Sequence, residues 1–261
     1  MLGKLLKYEF KATSRILISL YLIMLITTGL NRLILLLDIF DGSLMIIPAI
    51  MQVLFILSII AIFITSFLLM IYRFYKNLLS DEGYLMFTLP AKTHQLITSK
   101  YLATLAWLLI SIIIILGSAV LAIGTPENIK LVLNSLNELL LQFGATTGNS
   151  ISLTIITLLL FCFTSVTTYI SLIYASIAIG QLFTKNRLVG AFVSYIGISA
   201  VMQLLLLLLL VITKVFSSII ANGNNIIPLK LIIGIIVYQL VLSTIFYITT
   251  NIIFKRRLNL E

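Results

Sequence analysis

Residues 44–72 read LMIIPAIMQVLFILSIIAIFITSFLLMIY, without one charged side chain. A bilayer is crossed by about 20 predominantly apolar residues in a helix. This run is longer, so it predicts a membrane span that tilts or projects beyond the hydrocarbon. Pro48 lies near its start, where a missing backbone N–H costs little. The composition agrees: 61% of the 261 residues are hydrophobic and 10% are charged. The mean hydropathy is +1.21. A soluble domain is about half apolar and about a quarter charged, so lipid is the solvent of most of this chain.

Five further runs follow the same logic: 15–37, 101–123, 151–179, 188–212 and 231–254. The expected fold is all-α, a polytopic membrane protein of six transmembrane helices preceded by an interfacial amphipathic helix at 1–14. In that first stretch, Leu2, Leu6 and Phe10 share one face at about 100° per residue, and Lys4, Lys7 and Lys11 share the other. Such a helix lies in the interface with its lysines toward anionic headgroups. Glu9 falls on the apolar side. Two readings stand: a side chain snorkelling at a frayed edge, or a buried partner for a base on another element. Arg32, near the far end of the first run, either snorkels to the interface or faces an internal cavity.

Thr125-Pro126-Glu127 is a helix start, with a capping hydroxyl, a first-turn proline and an acid at the positive helix end. The helix it opens, 126–143, carries too many polar side chains to span and is expected to lie on the outer surface, ending at Gly144. The span at 151–179 is rich in Thr and Ser, which suit close helix packing and interhelical hydrogen bonds, or a substrate path. Gln52, Gln203, Gln239, Asn31, Tyr169, Tyr195 and Tyr238 have the same two readings.

Thirteen Lys and Arg fall in segments that share a side if both termini are cytoplasmic; Lys130, Lys214, Lys230 and Arg32 fall on the other. The positive-inside rule then orients six spans with both ends, including the basic tail 255–261, in the cytosol. The net charge of +9 thus reports topology and calls for no nucleic acid. The lone Cys162 forms no internal disulfide, and neither a metal site nor a catalytic constellation is expected. No GxxxxGK[ST] loop occurs, so the chain is expected to be no enzyme and to hold no cofactor of its own.

The longest polar interval of the first half is 73–100, RFYKNLLSDEGYLMFTLPAKTHQLITSK. Ser80 can cap a short helix with Asp81 and Glu82 in its first turn, Gly83 permits a bend, and Pro90 ends it. Thr93 or Thr98 can cap the helix that follows. Tyr84, Leu85, Met86, Phe87 and Leu89 form an apolar cluster that needs a covering surface.

The order Asp81-Glu82-Gly83, apolar stretch, Leu89-Pro90, polar turn, Ser99-Lys100 and then a membrane helix resembles the first cytoplasmic loop of ABC-2-type ABC transporter permeases of the Gram-positive type. The interfacial start KLLKYEFKATSR, the six-span plan and the loop IGQLFTKNR (179–187) resemble them too. The chain departs from the family before the last span, where the outer interval is short and Asn-rich. The resemblance implies a permease subunit of an ATP-binding-cassette exporter in a bacterial plasma membrane. Its coupling helix would dock a separate ATPase subunit through Asp81, Glu82, Gly83, Tyr84, Met86, Phe87, Leu89 and Pro90. ATP and Mg would belong to that partner, and a second permease subunit would complete the route. A non-transport membrane partner, such as an immunity or signalling protein, and a secondary transporter are the alternatives. The spans lack the carboxylates by which a secondary transporter couples to protons or sodium.

Overall fold

In the computed structural model the described residues are 1–37, 46–79, 92–147, 150–183, 186–212 and 229–256. They are helical, with no strand among them. The helices are α1 (Leu2–Leu37), α2 (Ile46–Leu79), α3 (Thr93–Ile123), α4 (Pro126–Thr147), α5 (Ile151–Gly180), α6 (Arg187–Ile212) and α7 (Leu229–Arg256). All but α4 are long and apolar enough to cross a membrane, which gives the chain a multi-pass architecture. Helices are the expected solution, because a backbone in lipid must satisfy its own N–H and C=O groups.

The chain divides into two compact units, one built on α1, α2 and α3, the other on α5, α6 and α7. In the first unit α1 is unbroken from Leu2 to Leu37, so the amphipathic stretch 1–14 is the opening of the same helix as the first span. Its buried positions are Glu9, Thr13, Leu17, Tyr21, Met24, Thr28 and Asn31. Steps of three and four residues keep them on one stripe. Leu17, Tyr21 and Met24 pack with Ile62 of α2, and Trp107, Ile110 and Ile114 of α3 close over them. Phe10 and Tyr21 both lie against the Trp107 ring, at 5.5 Å and 6.3 Å between centroids.

Contacts between α1 and α3 keep a nearly constant sequence offset: Glu9 with Lys100, Tyr21 with Ser111, Met24 with Ser118, Arg32 with Gly124. A constant offset means parallel helices. Between α1 and α2 the partners run in opposite order, Glu9 with Arg73 and Met24 near Ile62, so α2 is antiparallel.

The second unit repeats the plan. Thr164 and Thr168 of α5 meet Gln239 of α7, and Leu172 and Ala175 pack with Leu242 and Phe246, again a parallel pair. Ile198 and Met202 of α6 run antiparallel beside them. Residues 170–178 of α5 are buried on every side. At its end a Cβ on Gly180 would meet the backbone N of Ala191 at 2.5 Å, so only glycine lets α5 and α6 approach there.

Thr125 caps α4 as its sequence predicts, its Oγ1 accepting from the Asn128 N–H at 3.3 Å. Gly144 does not end that helix, which continues to Thr147. Gly144 is buried within it, and a glycine stops a helix only where the chain turns left-handed. At the head of α3 the cap position is Lys92, with no side-chain cap bond. Neither threonine takes that role: Thr93 is the first helical residue, and Thr98 donates to the His94 carbonyl one turn back.

Candidate functional site

Asp81, Glu82, Gly83, Tyr84, Met86, Phe87, Leu89 and Pro90 lie outside the described residues. The helices that lead into and out of their segment are described, and their roots are joined. α2 continues to Leu79, well past the last apolar residues of its span. Arg73 of α2 lies eight residues before Asp81, and Lys100 of α3 lies ten residues after Pro90.

Both bases engage Glu9 of α1. Glu9 is only 5% exposed and Lys100 only 3%. Arg73 Nε and Nη2 donate to Glu9 Oε2 at 3.0 Å and 2.9 Å. Lys100 Nζ donates to Glu9 Oε1 at 2.6 Å. Each carboxylate oxygen therefore serves a different helix. A carboxylate taken out of water must be paired and hydrogen-bonded or it becomes very costly, and charge-assisted bonds of this length are the strong class. Of the two sequence readings of Glu9, the buried partner is the one observed. The frayed-edge reading fails because α1 is already fully helical at Glu9 and presents it to the core stripe.

A second node ties the same three helices nearer their middle. Tyr21 Oη lies 2.7 Å from Ser111 Oγ, and Ser66 Oγ lies 3.2 Å from it. Ser111 donates to the Trp107 carbonyl at 2.9 Å, which leaves its lone pairs to accept from the other two. Sequence reasoning missed this node; its only signal was a pair of serines in otherwise apolar windows.

At the opposite end of α1, Arg32 Nη2 donates to the Gly124 carbonyl at 2.8 Å, just beyond α3. Glu9 and Arg32 are about 35 Å apart along α1 at about 1.5 Å per residue, close to the thickness of the hydrocarbon core. Charge in the first unit thus marks both ends of the span, and hydroxyls bridge between.

The polar residues singled out as possible route linings separate into two groups. Gln239 and Tyr238 are spent on helix contacts. Gln239 Oε1 accepts from Thr164 Oγ1 at 2.6 Å, and Gln239 Nε2 donates to Ser165 Oγ at 3.0 Å. Tyr238 Oη donates to the Met202 carbonyl at 2.6 Å. Tyr195 packs against the core of the second unit, and Asn31 is buried. Gln52, Gln203 and Tyr169 are exposed on this chain.

No family model matches this chain, and no curated protein or solved structure matches it either.

Proposed function

We propose that this chain is the membrane subunit of an ATP-binding-cassette exporter, receiving work from a separate ATPase through the segment 73–100. In this reading it sits in a bacterial plasma membrane with both termini in the cytosol, and pairs with a second permease subunit to enclose the route. The support is mechanical as well as motif-based. A docking segment transmits force only if both of its roots are fixed to something that moves with them. Glu9 supplies that link, holding Arg73 on the incoming helix and Lys100 on the outgoing one. Sliding either helix past α1 breaks an ion pair to the buried Glu9 carboxylate, so a push on the segment displaces α1, α2 and α3 together. Such packed elements shift between discrete arrangements rather than deforming continuously. The sequence adds the acid-Gly start, the apolar cluster and the Leu-Pro end, and contains no nucleotide-binding loop of its own.

Replacing Tyr84 and Phe87 by Ala tests this reading. Aromatic anchors at an interface are worth about 2 kcal/mol or more each when they are hot spots. The double variant is expected to reach the membrane at the wild-type level and to lose copurification of an ATP-hydrolysing subunit. Unchanged copurification and unchanged ATP turnover would remove the docking assignment.

A further inference from the structure

The far ends of α1 and α3 border an open recess of about 360 Å³ whose wall includes Leu25, Gly29 and Arg32 of α1 and Val120, Leu121 and Gly124 beside them. This is within the size range of small-molecule sites, about 300–1,000 Å³. We propose that it binds an anionic membrane phospholipid, with the headgroup phosphate on the Arg32 guanidinium and the upper acyl chain along Leu25, Val120 and Leu121.

Three observations carry this. First, the wall is apolar apart from Thr28 and the arginine. An apolar recess at the surface of a membrane helix pair fills with lipid, so what remains to be decided is which lipid. Second, Arg32 spends one N–H on the Gly124 carbonyl, and no other bond of its side chain is formed among the described residues. A guanidinium has five donors in a planar fork that matches phosphate oxygens two at a time. The Gly124 bond aims the group: a Cβ on Gly124 would sit 3.2 Å from Arg32 Cζ, so glycine there keeps the guanidinium in place. Third, Gly29 has no packing reason to be glycine. A Cβ built on it meets nothing within 4 Å, and glycine in a helix interior weakens the helix. Gly29 is one of the residues that line the recess.

The inference needs only the membrane architecture, not the transporter reading. Native mass spectrometry of the detergent-solubilised full chain tests it, with equimolar phosphatidylglycerol and phosphatidylcholine added. The wild type is expected to retain phosphatidylglycerol over phosphatidylcholine by about tenfold, because both carry the phosphate but the quaternary ammonium of phosphatidylcholine offsets its attraction to the Arg32 guanidinium. Arg32→Gln should erase that preference and Arg32→Lys should keep part of it. Gly29→Leu, which puts a bulky side chain on the lining of the recess, should abolish retention of either lipid. Arg15→Gln, on an exposed residue of the same helix, should change nothing. The proposal is overturned if the preference survives Arg32→Gln, if retention survives Gly29→Leu, or if Arg15→Gln erases the preference equally. Displacement of phosphatidylglycerol by inorganic phosphate would also overturn it, by showing a simple anion site.

Discussion

The two units share a plan and differ in what holds them. Each places its first and third helices parallel, with the second antiparallel between them in sequence. The first unit is pinned by ions: one buried carboxylate with two bases at one end, a guanidinium on a carbonyl at the other. In the second, the contacts between α5, α6 and α7 include a glutamine among threonine and serine hydroxyls and a glycine where two backbones touch. Neutral interhelical bonds contribute modestly, since in lipid the separated helices also find partners. Buried ion pairs behave differently: intact they add little net stability, but losing one partner strands a charge. The first unit is therefore the brittle one, and its brittle point lies at the roots of the candidate docking segment.

The largest expected effect follows from that asymmetry. Glu9→Gln leaves Arg73 and the buried Lys100 facing each other without their anion, and should destabilise the first unit by about 3–5 kcal/mol. Unfolding in mixed detergent would show it, and a change below about 1 kcal/mol would mean that the cluster is solvated after all. Gln239→Leu should cost less, about 1 kcal/mol. The Thr164 hydroxyl has a second acceptor in the Leu160 carbonyl at 2.9 Å and falls back on its own helix. A loss as large as that of Glu9→Gln would erase the contrast between the units. The smallest effect belongs to α6, where Leu207 and Leu208 are 53% and 56% exposed. Ala at either position should change stability by less than about 0.5 kcal/mol. A loss on the scale of a core truncation, about 2–5 kcal/mol, would place a partner surface there.

Much of this fold was legible. The spans expected at 151–179, 188–212 and 231–254 lie within two residues of α5, α6 and α7 at each end, because uncharged runs have few alternatives in lipid. The Thr125 cap was legible for a local reason: its donor, Asn128, is three residues away. The anomaly of Glu9 on an apolar face was also visible. Its partners were not, because Arg73 and Lys100 are 64 and 91 residues distant, and no local pattern encodes which bases return to it. The same distance hid Ser66 and Ser111. α1 runs unbroken through Lys11 and Arg15, where the sequence reading set an interfacial stretch 1–14 beside a span that begins at 15. Polar residues there mark where the helix leaves lipid, not where it ends.

If 73–100 is the docking segment, Glu9 makes it and the first three helices move as one. ATP turnover by the membrane-assembled complex, measured for wild type, Glu9→Asp and Glu9→Gln at equal membrane levels, tests it most directly. The proposed docking residues are intact in all three, so on this reading the ATPase should copurify with each. Turnover in Glu9→Gln is expected no longer to respond to the membrane subunit, while Glu9→Asp keeps part of the response. Wild-type turnover in Glu9→Gln, with the ATPase bound, would contradict it.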